Sequence, residues 1–298
     1  TTQHTLSLHD ALPIPAAILP PLVDPGASLG RLSGAARERV GAAPEVIAVG
    51  SHDTASAVVA VPMSDPATAA YISCGTWGLV GVELDAPIVS DAAREANVTN
   101  EGGVDGRLRF LHNVTGLWLL SESVRTWEAE DGAAIDLQDL LDAAAAHDGD
   151  IPLFDANDPA LSAPGDMPAR IAAVLESGGA SAPQTRAGLA RSIIESIAHA
   201  FAQTVDTIAA LSDRDISVIH LVGGGSLNRL LCQATADRSG REVLAGPVEA
   251  TAIGNVLVQA RAHGWFEPDA TLETLRAAVA RSFPPTRYSP KTPASAPE

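Results

Sequence analysis

The sequence predicts an α/β fold, because short β-branched strand patterns and helical patterns alternate along the chain. Two strand-to-helix units follow one another between residues 217 and 264, and each has glycine at its turn. Another strand pattern leads into a helix of small residues after residue 45, and a hairpin pattern begins at residue 69. In open α/β sheets, turns between a strand and the following helix face the ligand crevice.

Composition sets the outer limits. The chain has 298 residues, 46% of them hydrophobic, which suffices for one large or two modest domains with a real core. The formal charge of −17, from 36 acidic and 19 basic residues, disfavours nucleic acid and anionic membranes as partners. Neither a transmembrane run nor a signal-peptide pattern is found. Cys74 and Cys232 have neither a metal-site nor a disulfide spacing, so we expect a soluble cytoplasmic protein.

The first helix start carries a candidate functional carboxylate. Residues 45–51 are predicted as a strand that delivers His52, Asp53 and Thr54 to a helix over 55–61. Aspartate at a helix start is commonly an N-cap. The same position also suits a ligand-facing carboxylate, because the positive end of a helix keeps it ionised. The residues alone leave both interpretations of Asp53 open.

A hairpin with a glycine-rich tip follows. Residues 69–83 alternate as two strands around Gly75, Thr76 and Trp77, which by default is an ordinary turn. Residues 97–103 are predicted as a polar loop, which includes Asn100 and Glu101, and a strand over 107–113 ends at Asn113.

The middle of the chain is less informative. Residues 128–182 contain acidic amphipathic helices near 137–146 and 168–176, which we interpret as a solvated helical insertion. The apolar positions of 185–211 recur at helical spacing, and core packing explains them better than a cofactor site.

The three glycines Gly223, Gly224 and Gly225 end the strand predicted over 217–222. We expect a helix at once, with Ser226 as N-cap, and then a second strand over 242–245 and a helix over 249–264. Backbone N–H groups at a helix start attract anions and allow close approach where side chains are absent. The stretch therefore predicts a nucleotide seat, in which a branched side chain at Gly224 would intrude and strain the turn.

Two other nucleotide architectures are excluded or disfavoured. A Walker loop needs a lysine directly after its glycine, and the chain has one lysine, at 291. The glycines also lack the Gly-x-Gly-x-x-Gly spacing of the Rossmann fingerprint.

The glycine motif Gly-Gly-Gly-Ser-Leu-Asn and the later Gly-Pro-Val-Glu-Ala-Thr-Ala-Ile-Gly-Asn resemble the FGGY carbohydrate kinases, and among them the rhamnulokinases most. The resemblance extends from Pro15 to about residue 287. It implies an actin-like (ribonuclease-H-like) fold, comprising the C-terminal domain plus the end of the N-terminal domain. The implied reaction transfers the γ-phosphoryl group of ATP to a ketose, first of all L-rhamnulose at C1.

The resemblance also implies roles for individual residues. Asp53 corresponds to the catalytic base, and His52, Thr54 and Asn113 correspond to sugar-contacting residues. The matching phosphate-binding tip contains Gly75 and Thr76. Adenosine would be held by Gly223, Gly224, Gly225 and Asn228. One departure from the family is Ser121, which stands where the family has a nucleotide-contacting glutamine, so that contact stays open.

The resemblance divides the chain at positions 15, 67 and 288. Residues 15–66 match the end of the N-terminal sugar-kinase domain, and 67–287 match the C-terminal nucleotide-binding domain. Residues 1–14 are either foreign sequence from a truncated or misassembled reading frame or a divergent flexible N-terminus. After a last helix over 272–282, residues 288–298 are predicted to be disordered.

We expect the family's first phosphate loop and its Mg²⁺ ligands in the N-terminal part of the family's members, which this chain does not match. We therefore name no metal ligand, and we expect the chain by itself to lack sugar kinase activity. Two alternatives stay open: a kinase for xylulose, fuculose or glycerol, and an actin-like nucleotide-binding protein without kinase chemistry.

Overall fold

A mixed seven-stranded sheet lies at the centre of the computed structural model, which describes residues 18, 20–267 and 269–291. Residues 1–14, predicted to be foreign sequence or a divergent N-terminus, lie outside the described residues. The strands are β1 (Ser28–Arg31), β2 (Glu45–Ile47), β3 (Ala69–Cys74), β4 (Trp77–Leu84), β5 (Thr99–Gly102), β6 (Leu108–Thr115), β7 (Val218–Val222), β8 (Glu242–Ala245) and β9 (Thr286–Tyr288).

Helices connect and cover these strands. They are α1 (Gly34–Val40), α2 (Asp53–Val59), α3 (Asp91–Glu95), α4 (Trp118–Asp131), α5 (Leu137–Ala145), α6 (Met167–Ser177), α7 (Arg186–Ser212), α8 (Arg229–Ser239), α9 (Ala250–Ala262) and α10 (Leu272–Ser282). Within the described residues, none of the helices combines the length and apolarity needed to cross a membrane.

The order of the central sheet is β5-β6-β4-β3-β7-β8-β9. Strands β3, β7 and β8 are parallel, whereas β4, β5, β6 and β9 run antiparallel to their neighbours. The carboxyl ends of the three parallel strands meet at one edge of the sheet, which is where ligands bind in open α/β sheets. The predicted hairpin is confirmed as β3 and β4, and the strand predicted over 242–245 is confirmed as β8.

One face of the sheet is covered by the long helix α7. Its N-cap Thr185 accepts a hydrogen bond from the N–H of Gly188 at 3.0 Å, and its apolar residues are buried, as the spacing predicts. The expectation that the middle of the chain is a solvated insertion is wrong. Helix α6 buries Met167, Ile171 and Leu175 in the same hydrophobic core as α7, because its apolar stripe faces the domain and not solvent.

Helices α2, α9 and α10 cover the opposite face. Helix α9 approaches α2 so closely that a Cβ at Gly254 would lie 1.8 Å from the carbonyl oxygen of Ser56. A buried ion pair ties α10 to the sheet, with Arg276 donating to Glu83 at 2.9 and 3.0 Å. Arg276 also donates to the carbonyl oxygen of Val58 in α2 at 3.1 Å. Helix α2 is therefore fixed from two sides.

Three boundary predictions are wrong, each because a tertiary pairing decides the local structure. The strand predicted over 45–51 is shorter and pairs with β1 in a separate two-stranded sheet, so it does not end at the crevice of the main sheet. Residues 99–102, predicted as a loop, form the edge strand β5. Residues 286–288 form β9 against β8, so the tail predicted over 288–298 is wrong at its first residue, and residues 292–298 lie outside the described residues.

Candidate active site

A cleft of about 620 Å³ opens at the edge of the sheet where β3 and β7 end. We call it the aspartate cleft, since Asp53 lies at its mouth. It collects residues from the start of α2, the β3–β4 tip, the ends of β5 and β6 and the turn after β7. These include His52, Asp53, Thr54, Gly75, Thr76, Trp77, Glu101, Asn113, Gly223, Gly224 and Thr251.

Asp53 is the first residue of α2, and its side chain is 74% exposed. The N-cap interpretation is wrong, because His52 occupies the N-cap position and makes no side-chain capping bond. Asp53 Oδ1 accepts a hydrogen bond from the N–H of Thr54 at 2.7 Å. Residues 54–59 are buried, so a rigid helix presents an exposed carboxylate to the cleft.

The hairpin tip is held firmly by backbone hydrogen bonds. The N–H of Gly75 donates to Trp77 O at 2.8 Å, and Thr76 O accepts from the N–H groups of Gly116 and Trp118, both at 3.1 Å. A Cβ at Gly116 would lie 2.7 Å from the backbone of Trp77, so the turn after β6 packs directly on the tip. Thr76 itself is exposed and lines the aspartate cleft.

The three positions of the turn after β7 are glycine for different physical reasons. Gly223 has a φ of 84°, and a Cβ there would lie 2.7 Å from Cys74 O. A Cβ at Gly225 would lie 2.5 Å from Cys74 Sγ. Gly224 has open space around its Cβ position. The backbone strain that the sequence predicts for a side chain at Gly224 would therefore arise at Gly223 instead. Two glycines are required by packing, and the third faces open space.

A second cleft of about 580 Å³ lies on the other side of Gly224. We call it the leucine cleft, because helices α4 and α5 and the turn line it mainly with aliphatic side chains. Its lining comprises Leu117, Leu120, Ser121, Val124, Arg125, Glu128, Leu137, Gln138, Leu141, Gly224, Leu227 and Asn228. Gly224 thus borders both clefts. Ser121 lines the leucine cleft. Gln138 of α5 lines it too, and no sequence signal indicated that residue.

The helix start after the glycines differs from the prediction. Residues Gly224–Leu227 form a 3₁₀ turn, and α8 begins at Arg229 with Asn228, not Ser226, as its N-cap. Asn228 Oδ1 accepts a hydrogen bond from the N–H of Leu231 at 3.0 Å. The first N–H groups of the 3₁₀ turn have no partner within it, as at any helix start.

Two of the polar residues before β6 have separate environments. Asn100 is structural, since its amide donates to Ile88 O at 2.8 Å and accepts from Ile88 N–H at 3.0 Å. Glu101, the next residue of β5, points to the opposite face of the sheet and lines the aspartate cleft with Asn113. The sequence predicts both residues in a loop; alternation along a strand is the signal that separates them.

The two cysteines pack beneath the glycine turn. Burial raises the pKa of the Cys74 thiol to about 12, with Cys232 adding to the shift. Burial likewise raises the pKa of Cys232 to about 12. Both thiols therefore stay protonated and act as packing groups. Among the described residues, no cluster of three His, Cys, Asp or Glu side chains suits a metal ion.

Comparisons with known proteins identify the family of the chain. The model of the C-terminal domain of the FGGY family of carbohydrate kinases matches residues 70–263. A rhamnulokinase of Bacteroides thetaiotaomicron is 40% identical over 271 residues, which are 90% of this chain and 54% of the relative. One of Pectobacterium carotovorum is 39% identical over 95% of this chain and 55% of the relative. The chain spans about half the length of these curated relatives.

Solved structures support the fold alone, because their sequence identities are low. A ligand-bound xylulose kinase of Lactobacillus acidophilus matches with a TM-score of 0.70 at 16% identity, covering 95% of this chain and 55% of the other. A glycerol kinase of Plasmodium falciparum with ADP matches with a TM-score of 0.62 at 13% identity, covering 90% of this chain and 51% of the other.

Proposed function

The chain belongs to the FGGY family of carbohydrate kinases, whose actin-like ATPase fold it shares, and from this premise we propose that it forms the nucleotide-binding and proton-accepting part of an ATP-dependent ketose kinase. L-Rhamnulose, phosphorylated at C1, is the substrate we propose first, since the relatives at 39% to 44% identity are rhamnulokinases. The observation that carries the proposal is that Gly224 borders both the aspartate cleft and the leucine cleft.

The nucleotide is proposed to cross the turn at Gly224. An aliphatic cleft with a few polar groups suits a flat heteroaromatic base, and Ser121, Gln138 and Asn228 supply such groups in the leucine cleft. The phosphates would then extend past the glycine N–H groups toward Thr76 in the aspartate cleft. Because no side chain occupies the space at Gly224, the ligand can approach the backbone there.

The sugar is proposed to lie in the aspartate cleft. Asp53 would accept the proton of the reacting hydroxyl, which orients that oxygen toward the terminal phosphate. His52, Thr54 and Asn113 remain the proposed sugar contacts; Thr54 is buried and its backbone bonds Asp53, whereas His52 and Asn113 expose side chains to the cleft. Among the described residues no cluster of three His, Cys, Asp or Glu side chains suits a metal ion, so we assign no Mg²⁺ ligand here and keep the expectation that the ligands lie in the family's N-terminal part.

We retain 15–66 and 67–287 as the two parts of the chain, and the matched range 70–263 falls inside the second. A kinase acting on xylulose, fuculose or glycerol is the first alternative. A nucleotide-binding protein without kinase chemistry is the second; it predicts ATP binding but no role for the exposed carboxylate of Asp53.

A hybrid kinase tests the proposal. In it, this chain replaces the segment of the Bacteroides thetaiotaomicron rhamnulokinase with which it aligns at 40% identity. We expect ADP release that depends on L-rhamnulose and exceeds that with xylulose, fuculose or glycerol. Preference for another of these sugars would assign the chain to that kinase. ATP binding without any sugar-dependent turnover, in a folded hybrid, would favour the non-catalytic alternative.

A further inference from the structure

Glu101 of β5 lies between the buried interior and the mouth of the aspartate cleft. Its Oε2 is 2.9 Å from Nη2 of Arg109 and 3.8 Å from Nδ1 of His52. On the far side of the imidazole, Nε2 of His52 is 3.3 Å from Asp53 Oδ1. Four charged or ionisable side chains thus form a continuous row that ends at the proposed base.

The row begins at a fixed point. Arg109 is 2% exposed and also donates to the carbonyl oxygen of Gly102 from Nε at 3.2 Å and from Nη2 at 3.1 Å. Glu101 stands opposite Arg109 in the antiparallel pairing of β5 and β6, so backbone register brings the two side chains together. A carboxylate held by a buried guanidinium has little freedom to move.

The row ends at side chains that are more exposed than Glu101. Exposure rises from Glu101 at 33% to His52 at 50% and Asp53 at 74%. Exposed side chains sample several rotamers, and a misplacement of about 1 Å at a reacting group can reduce turnover by about 100-fold. Asp53 Oδ1 accepts bonds from the N–H of Thr54 at 2.7 Å and from its Oγ1 at 3.4 Å, so the imidazole of His52 is the next neighbour that can restrict the carboxylate.

We propose that Glu101 is a positioning residue: anchored by Arg109, it orients the imidazole of His52, which in turn restricts the carboxylate of Asp53. A base that is oriented by a neighbour, itself held by a third group, is a recurrent arrangement in catalysis. The inference rests on the proposed function for its kinetic consequence, but the orientation of His52 is measurable without turnover.

The kinetic test uses Glu101→Gln in the hybrid kinase. We expect kcat to fall about 10-fold to 100-fold while the KM for ATP stays within about twofold, because the nucleotide lies on the other side of the cleft. Glu101→Asp, which keeps the charge and shortens the reach, should recover part of the loss. The matched control is Glu242→Gln: Glu242 is 29% exposed and pairs with Arg287 at the opposite edge of the sheet.

The test without turnover follows the ring signals of His52 by NMR in the 298-residue chain. We expect Glu101→Gln to shift and broaden them, whereas Glu242→Gln leaves them in place. Unchanged His52 signals, or an unchanged kcat in a folded Glu101→Gln hybrid, would overturn the inference. A higher KM for the sugar at constant kcat would also overturn it, by making Glu101 a sugar ligand. An inactive parent hybrid would count against the proposed function, and the ring signals would still decide this point.

Discussion

The two halves of the candidate site are held in place by different means. The proposed nucleotide side is the turn after the central strand β7, where Gly223 and Gly225 press against Cys74 and leave no room for side chains. The side of the proposed base is the exposed first residue of α2, a helix whose preceding strand β2 does not belong to the main sheet. Backbone packing fixes the first half, whereas helix packing and side-chain contacts fix the second.

This difference has a testable consequence. Some substitutions in the glycine turn should lower the stability of the fold and others the affinity for nucleotide, depending on which glycine is replaced. Changes at the exposed end of α2 should alter turnover and leave the fold intact, because exposed residues contribute little to stability.

The largest effect is expected for Asp53→Asn. In the hybrid kinase, this change should lower kcat by about two to four orders of magnitude, the usual contribution of a general base. ATP affinity, measured by calorimetry on the 298-residue chain, should stay unchanged, and so should the unfolding midpoint. Near-normal turnover would show that the carboxylate has no chemical role and would remove the contrast between the two halves.

The next effect concerns the anchoring of α2. Arg276→Met should lower the free energy of unfolding by about 3–5 kcal/mol, because Glu83 would remain buried without its partner. Denaturant unfolding measures this, with Arg281→Met, an exposed position on the same helix, as the control. A loss below about 1 kcal/mol would mean that Arg107, 3.8 Å from Glu83, compensates for the missing charge.

A smaller effect is expected inside the glycine turn. Gly225→Ala should lower the free energy of unfolding by about 1–3 kcal/mol, since its Cβ would meet Cys74 Sγ at 2.5 Å. Gly102→Ala, with open space at its Cβ, is the control and should change it by about 0.5 kcal/mol or less.

The clash itself can be checked by a double variant. Combining Gly225→Ala with Cys74→Ala should cost less than the sum of the two single changes, because residues in contact are coupled. Additive costs would contradict the clash and would place the loss elsewhere in the turn.

The sequence predicts those parts of the molecule that depend on local pattern. The hairpin, α7 and the strand-turn units around Gly223 follow from residue periodicity and glycine position, and the structure confirms them. The sequence could not show which strand β2 would join, or that residues 99–102 would pair with β6, because both pairings depend on distant partners. For the same reason the sequence does not place Glu101 in the cleft.

The glycines illustrate the same limit at the site. Three in a row predict close approach to a backbone, but not which of them is in contact with Cys74 and which faces a ligand. The assignment of Ser226 as N-cap fails because the 3₁₀ turn delays α8 until Arg229, so that Asn228 reaches the capping position. The roles of Asp53, Thr76 and Asn228 in chemistry stay predictions.

Titration of the 298-residue chain and its Gly224→Val variant with ATP, by calorimetry, tests most directly whether the glycine turn is the nucleotide seat. The variant should lose about 10-fold or more in affinity, about 1.4 kcal/mol, because the branched side chain enters the space that joins the two clefts. Its unfolding free energy should change by less than about 1 kcal/mol, since that space is open. Equal ATP affinity in both proteins would contradict the account and show that the nucleotide binds elsewhere.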